Sequence, residues 1–173
     1  WMDRNLGASQ VASSSDDELA YGDLYQWGRF SDGHQCRDSE TTSSSSSTSQ
    51  PSHGDFILVG EELPVDWLNQ QDNDLWDGSN SLNNPCPLGY RLPTQVESQE
   101  EILTWESENV EGALTSPLKL AAGGLRWYFN GQVTVAGSNG QYWTSSVSLS
   151  NAISLVFVDI FAVTGSNRRA YGF

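Results

Sequence analysis

Positive charge is the first thing this sequence lacks. Eight Lys and Arg stand against 22 Asp and Glu over 173 residues, a formal net charge of −14. So few cations argue against a nucleic-acid partner, whose phosphates need Lys and Arg, and against anionic membrane surfaces. The balance fits a solvated surface protein or one that binds cations. No apolar run approaches the twenty or so residues of a spanning helix. No signal-peptide pattern opens the chain. It begins at Trp1 and not at an initiator Met, so the chain is expected to be a processed or excised part of something longer, and the missing signal does not argue for the cytoplasm. Gly-x-Ser-x-Gly, Gly-rich phosphate loops and Asn-x-Ser/Thr sequons are all missing. There are two cysteines, Cys36 and Cys86, without metal-ligand spacing. In an oxidising compartment they could pair, closing a loop of about fifty residues and constraining the unfolded chain by roughly 3–4 kcal/mol.

What is abundant is rings and turn formers. Seven Trp and six Tyr are enough to fill a core and also to build sugar-stacking or interface surfaces. Helix formers are scarce while Ser, Gly, Asn and Asp are plentiful, so loops and strands should dominate. The length fits one domain, residues 1–173, with a real core. The stretch Asn84–Thr94 organises the rest. Pro85, Pro87 and Pro93 fix φ, Gly89 permits a left-handed turn, and Thr94 with Glu97 spells a capping box. A helix over Gln95–Trp105 follows, with Val96, Ile102, Leu103 and Trp105 as its apolar positions. The alternative is an ordinary loop before a surface helix.

Elsewhere, Trp1–Leu6 reads as a short strand. Glu18–Phe30 carries Leu19, Tyr21, Leu24, Tyr25, Trp27 and Phe30 at helical spacing, with Asp16 or Asp17 as cap. Phe56–Val59 is a strand candidate. Leu118–Ala122 and Leu125–Phe129 are strands around Gly123-Gly124. Asn130-Gly131 and Asn139-Gly140 are hairpin turns. Tyr142–Ser146, Ile153–Phe157 and Phe161–Val163 complete an irregular antiparallel sheet.

Three stretches invite functional readings. The insertion 39–52 includes Thr41, Thr42, Ser43, Ser44, Ser45, Ser46, Ser47, Thr48 and Ser49, which cannot bury apolar surface. If ordered, it needs neighbouring chains or attached O-linked sugars to hold it. Asp66–Asn84 is dense in oxygen ligands. Asp72, Asp74 and Asp77 could hold calcium, although the spacing departs from the EF-hand and Asx turns explain the same residues. His34 and His53 flank the tract and could share a metal with Asp32 or Asp55, or could only pin loops. Carboxylates are many, and no pair stands out as catalytic.

Several segments together resemble the Fibrobacter succinogenes major paralogous domain family. They are Trp1–Ala8, Tyr21–Arg29, Asp32–Gln35, Asn84–Pro87, Gly89–Thr94, Ser116–Leu120, Tyr142–Ser146 and Arg169–Phe173, in family order over nearly the whole chain. The resemblance implies a C-type-lectin-like α+β fold, distantly similar to formylglycine-generating sulfatase-modifying proteins. It also implies a secreted or surface location in bacteria of the Fibrobacteres–Bacteroidetes group. The enzyme's activity is not implied, because its cysteine pair lies near the C-terminal end and no cysteine follows Cys86 here. Members of that family usually continue past Ala170-Tyr-Gly-Phe173 into a final strand with a cysteine, so the resemblance implies either that this strand is cut off here or that Cys36 serves as the partner of Cys86.

The resulting expectation is a loop-rich antiparallel sheet flanked by two helices, near Glu18–Trp27 and Gln95–Trp105. The expected function is a non-enzymatic surface or extracellular-fibre module, O-glycosylated and self-associating. Its rival is a carbohydrate-binding adhesion module that stacks sugars on Trp67, Trp76, Trp127 or Trp143. The first reading needs no resident cofactor; the rival could use calcium at the Asp72, Asp74 and Asp77 loop.

Overall fold

A computed structural model describes residues 1–173. Its regular part is a three-stranded antiparallel sheet in the order β5 (Gly140–Ser148), β6 (Asn151–Val158), β7 (Phe161–Asn167). Two short hairpins join these strands. Alternation decides the faces. Tyr142, Leu155, Phe157 and Ala162 point to one side, where they meet Ile102, Trp105, Val110 and Ala113. Trp143 and Ala152 point to the other, into a cluster with Tyr25, Trp27, Trp76, Leu92, Leu125 and Phe173. Each large ring buried there contributes roughly 1.5–3 kcal/mol. Gly140 is needed by this packing. A Cβ there would lie 2.0 Å from the Phe157 ring, so Asn139-Gly140 starts the strand and is no turn.

The first helix is α1 (Gln95–Ile102), and its start is the capping box read from the sequence: Thr94 Oγ1 accepts from the Glu97 amide, and Glu97 accepts from the Thr94 amide. The helix is shorter than expected, and Val96 and Leu103 are exposed; Gln95 and Gln99 reach across to Thr164 of β7. The second helix is not where the sequence placed it. It is α2 (Val110–Thr115), capped by Asn109. The expected helix over Glu18–Phe30 is a single 3-10 turn, Glu18–Ala20, capped by Asp17. Gly22 and Gly28 lie at φ 71° and 81°, a left-handed backbone that breaks any helix between them. The apolar spacing there comes from rings buried in separate clusters. Trp1–Leu6 and Leu118–Ala122 form no strand.

The remaining sheets are two-residue pairs. β1 (Thr41–Thr42) runs parallel to β2 (Phe56–Ile57), and β3 (Leu125–Arg126) runs antiparallel to β4 (Val133–Thr134) across the loop holding Asn130-Gly131. None of the sheets closes. The serine tract is held by its own chain. Phe56 and Leu58 donate to Glu40 and Thr42, Ser46 donates to the Trp67 carbonyl, and Asn69 donates to Ser46. Neither a neighbour nor a sugar is required to order it.

With so little ladder, side chains close the loops' backbone hydrogen bonds. The Nε1 of Trp27, Trp67, Trp76 and Trp143 donates to the carbonyls of Thr144, Trp27, Asn83 and Tyr25, at 2.7–2.9 Å. Asn83 Nδ2 donates to Gly28 and Ser49. Arginines do the same and are as deeply buried. Arg29, Arg126 and Arg169 are 0%, 3% and 1% exposed. Arg29 holds the carbonyls of His53 and Asp55, and Arg126 those of Cys36, Ser39 and Gly131. They lie over Trp67 and Phe56, at 5.6 and 4.4 Å from the ring centroids; Arg169 lies 4.6 Å from that of Trp27.

Candidate functional site

The main cleft, about 450 Å³, opens along the β5 side of the sheet. Its volume suits a small ligand. Segments far apart in sequence build it. The N-terminal segment is tied down by Asn5 Nδ2, which donates to the Ala20 and Tyr21 carbonyls and to the Tyr142 hydroxyl. The Pro85–Pro93 loop forms the facing wall. There Gly89 sits at φ 87°, the Tyr90 amide donates to Pro87, and Asn84 Nδ2 donates to the Tyr90 carbonyl at 2.8 Å. Gln141 and Trp143 come from β5.

The floor is aromatic. Trp76, Tyr25, Trp143 and Phe173 are buried there, and Trp143 stacks on Phe173 with centroids 4.2 Å apart. The rim is aromatic and wet: Trp1 is 59% exposed and Tyr90 46%. Between floor and rim sit polar groups of two kinds. The first kind is spent. Glu97 takes both Arg91 guanidinium nitrogens, at 2.7 and 2.9 Å, as well as the Thr94 amide, which holds its carboxyl down at about 2. Arg4 is paired with Asp3. The second kind is open. The Asp23 carboxyl is pushed up by burial, offset only by the charge of Arg37, with no hydrogen bond from the chain. Gly7 gives it room; a Cβ there would sit 2.4 Å from the Asp23 carboxyl carbon. Asp23 also borders a second, shallower hollow of about 380 Å³.

The residues singled out from the sequence scatter. Trp67, Trp76 and Trp143 are 0%, 1% and 5% exposed with their indole nitrogens bonded, so they offer no stacking face at the surface. Trp127 is half-buried between Phe129 and Tyr171, with its Nε1 donating to Thr134 Oγ1. Cys36 and Cys86 are free thiols, not a disulfide. Cys36 is exposed at the second hollow, and its carbonyl is fixed by Arg126. Cys86 is half-buried in the main cleft, where burial pushes its thiol up and makes it a poor nucleophile.

Asp72, Asp74 and Asp77 form no metal-ligand group. Asp72 caps the Asp74 amide in an Asx turn, and its carbonyl accepts from Arg169. His34 and His53 share no such group either. His34 is fully buried. Its Nε2 accepts from the Gln26 amide, so Nδ1 carries the proton and donates to Asp32 at 2.7 Å. His53 faces Asp55 at 3.6 Å. In the tract, Thr41, Ser43, Ser44, Ser45, Ser47 and Thr48 are exposed, while Thr42, Ser46 and Ser49 are half-buried.

Sequence reasoning missed Asp23, Trp1 and Tyr90 as a set. Tyr90 was signalled by the rigid Pro–Gly loop around it; nothing local marked Asp23. No family model, curated protein or solved structure matches the chain.

Proposed function

We propose that this chain is a non-enzymatic, secreted carbohydrate-binding module of C-type-lectin-like fold, carried on a bacterial surface or extracellular fibre. The observation that carries the reading is the cleft: two exposed rings, Trp1 and Tyr90, stand over an aromatic floor beside an unpaired carboxylate, Asp23. A sugar presents a C–H face that stacks on such rings and hydroxyls that donate to such a carboxylate. The resemblance to the Fibrobacter succinogenes major paralogous domain family supports the location and the lectin-like fold. The sugar site thereby moves from the four tryptophans of the sequence reading to the cleft rim.

Binding is favoured over hydrolysis by the state of the two carboxylates. A raised Asp23 and a lowered Glu97 are the kind of split that acid–base chemistry uses. Yet Glu97 is occupied by Arg91 and Thr94, so it acts as a strut of the loop, and one free carboxylate does not make the pair that glycoside hydrolysis needs. In the secreted setting, the exposed hydroxyls of Thr41, Ser43, Ser44, Ser45, Ser47 and Thr48 are the positions open to O-linked sugars.

A glycan array followed by titration calorimetry on the best ligand tests this. Asp23→Asn, Trp1→Ala and Tyr90→Ala are each expected to weaken binding at least tenfold, about 1.4 kcal/mol. Absence of any glycan hit, or equal affinity in all three variants, overturns the site. Cleavage of the bound glycan overturns the non-enzymatic part.

A further inference from the structure

We propose, resting on the carbohydrate reading above, that the cleft selects an amine-bearing sugar: a hexosamine whose free ammonium pairs with Asp23 while its ring stacks on Trp1 or Tyr90. The charged groups around the cleft leave one carboxylate over. Arg91 and Glu97 neutralise each other through contacts of 2.9 and 2.7 Å, and Arg4 is paired with Asp3 at 2.9 Å. Asp23 has no such partner, and nothing in the chain donates a hydrogen bond to it.

Arg37 is the one cation whose charge reaches Asp23, and it is held off. Its Nε donates to the Gly22 carbonyl and its Nη2 to that of Gly123, both at 2.7 Å, and its guanidinium lies 5.1 Å from the centre of the Tyr21 ring. Its charge offsets the burial of Asp23 only in part, without contact. A half-buried carboxylate in this state is stabilised most by a ligand that brings positive charge together with donors. A hydroxyl brings a donor alone. An ammonium brings several donors and the charge.

The surroundings favour a cation as well. Trp1, Tyr25 and Tyr90 line the same cleft, and the faces of such rings attract positive charge. The shallower hollow that Asp23 also borders sets Glu18 and Asp38 against the single cation Arg37. The net charge of −14 draws cations from solution and repels sugars that carry a carboxylate. An N-acetylated hexosamine has the same ring and hydroxyls with an amide in place of the ammonium. It stacks as well and loses the charge pair. Asp23 therefore sets the specificity of the cleft, and the rings supply affinity that both sugars share.

Titration calorimetry with the trimers of glucosamine and of N-acetylglucosamine, at a pH where the free amine is protonated, tests the proposal. The wild type is expected to bind the free-amine trimer about tenfold more tightly than the acetylated one. Added salt is expected to narrow that gap, because it screens a charge pair and leaves stacking alone. Asp23→Asn is expected to bind both trimers within about twofold of each other, and Tyr90→Ala to weaken both by the same factor and keep their ratio. If Asp23→Asn disturbs the fold, the salt series on the wild type decides. Equal binding of the two trimers, tighter binding of the acetylated one, a preference that survives Asp23→Asn or a gap indifferent to salt overturns the amine selectivity and leaves the carbohydrate reading standing. So does a cleft that binds other glycans of the array but not the free-amine trimer. Absence of binding to any glycan overturns the carbohydrate reading itself, and the selectivity with it.

Discussion

The β5–β7 hairpins and the chain before residue 93 solve the same problem in different ways. Both must pair backbone groups taken out of water. The hairpins do it with a ladder, strand to strand. The first half has only the four residues of β1 and β2 in strands and no α-helix, and it pairs its carbonyls with turn and loop amides and, at as many positions again, with side-chain donors. Indole nitrogens, Gln26, Asn83 and buried guanidinium groups serve as those donors. The lesson is about fragility. A ladder spreads its bonds over many residues, so one substitution removes little. A wired loop concentrates several bonds on one side chain, so one substitution strands several carbonyls.

That contrast ranks the expected effects. The largest belongs to Arg126→Met. It removes donors from Cys36, Ser39 and Gly131 at once, and chemical denaturation should show a loss of roughly 3–5 kcal/mol. Acid comes next. Burial lowers His34 to about 4 from an ordinary 6.5, because Nε2 is committed to the Gln26 amide and has no place for a second proton. Between those pH values the unfolded chain binds the proton and the folded chain does not. Stability is therefore full above about 6.5 and falls as pH drops towards about 4, by roughly 2–4 kcal/mol. Urea midpoints measured across that window should show it, and His34→Gln should flatten the profile there. Trp67→Phe keeps most of the buried ring but strands the Trp27 carbonyl, for a loss of roughly 1–3 kcal/mol in the same assay.

The regular half should respond less. Thr94→Ala breaks the capping box of α1 and should cost about 1 kcal/mol. Leu149→Gly should raise stability by roughly 0.5–1 kcal/mol. Leu149 sits at φ 54° in the β5–β6 turn and is 95% exposed, so its side chain makes the turn strained without packing in return.

Legibility in the sequence follows the same divide. The capping box was readable because Thr94 and Glu97 are three residues apart. Ile153, Leu155 and Phe157 were readable because alternation is local. Glu18–Phe30 misled because spacing alone cannot show that Tyr25 and Leu24 leave for different neighbours, or that two glycines turn left-handed. The tryptophans misled because an indole looks the same to a reader of sequence whether its N–H meets water or a loop carbonyl. The net charge hid that three of the few cations are core residues. The cleft was invisible for a topological reason: Trp1, Asp23, Tyr90 and Gln141 come together only after the first half is wired in place.

Hydrogen exchange followed residue by residue, in the wild type and in Arg126→Met, tests that wiring most directly. The account predicts slow exchange at the amides of Gln26, Ser46, Phe56 and Leu58 in the wild type, despite the near absence of ladder around them. In Arg126→Met it predicts that protection around residues 36–42 and 126–131 is lost first, while β5–β7 stay protected. Fast exchange at those four amides in the wild type, or an even loss over both halves in the variant, would contradict it.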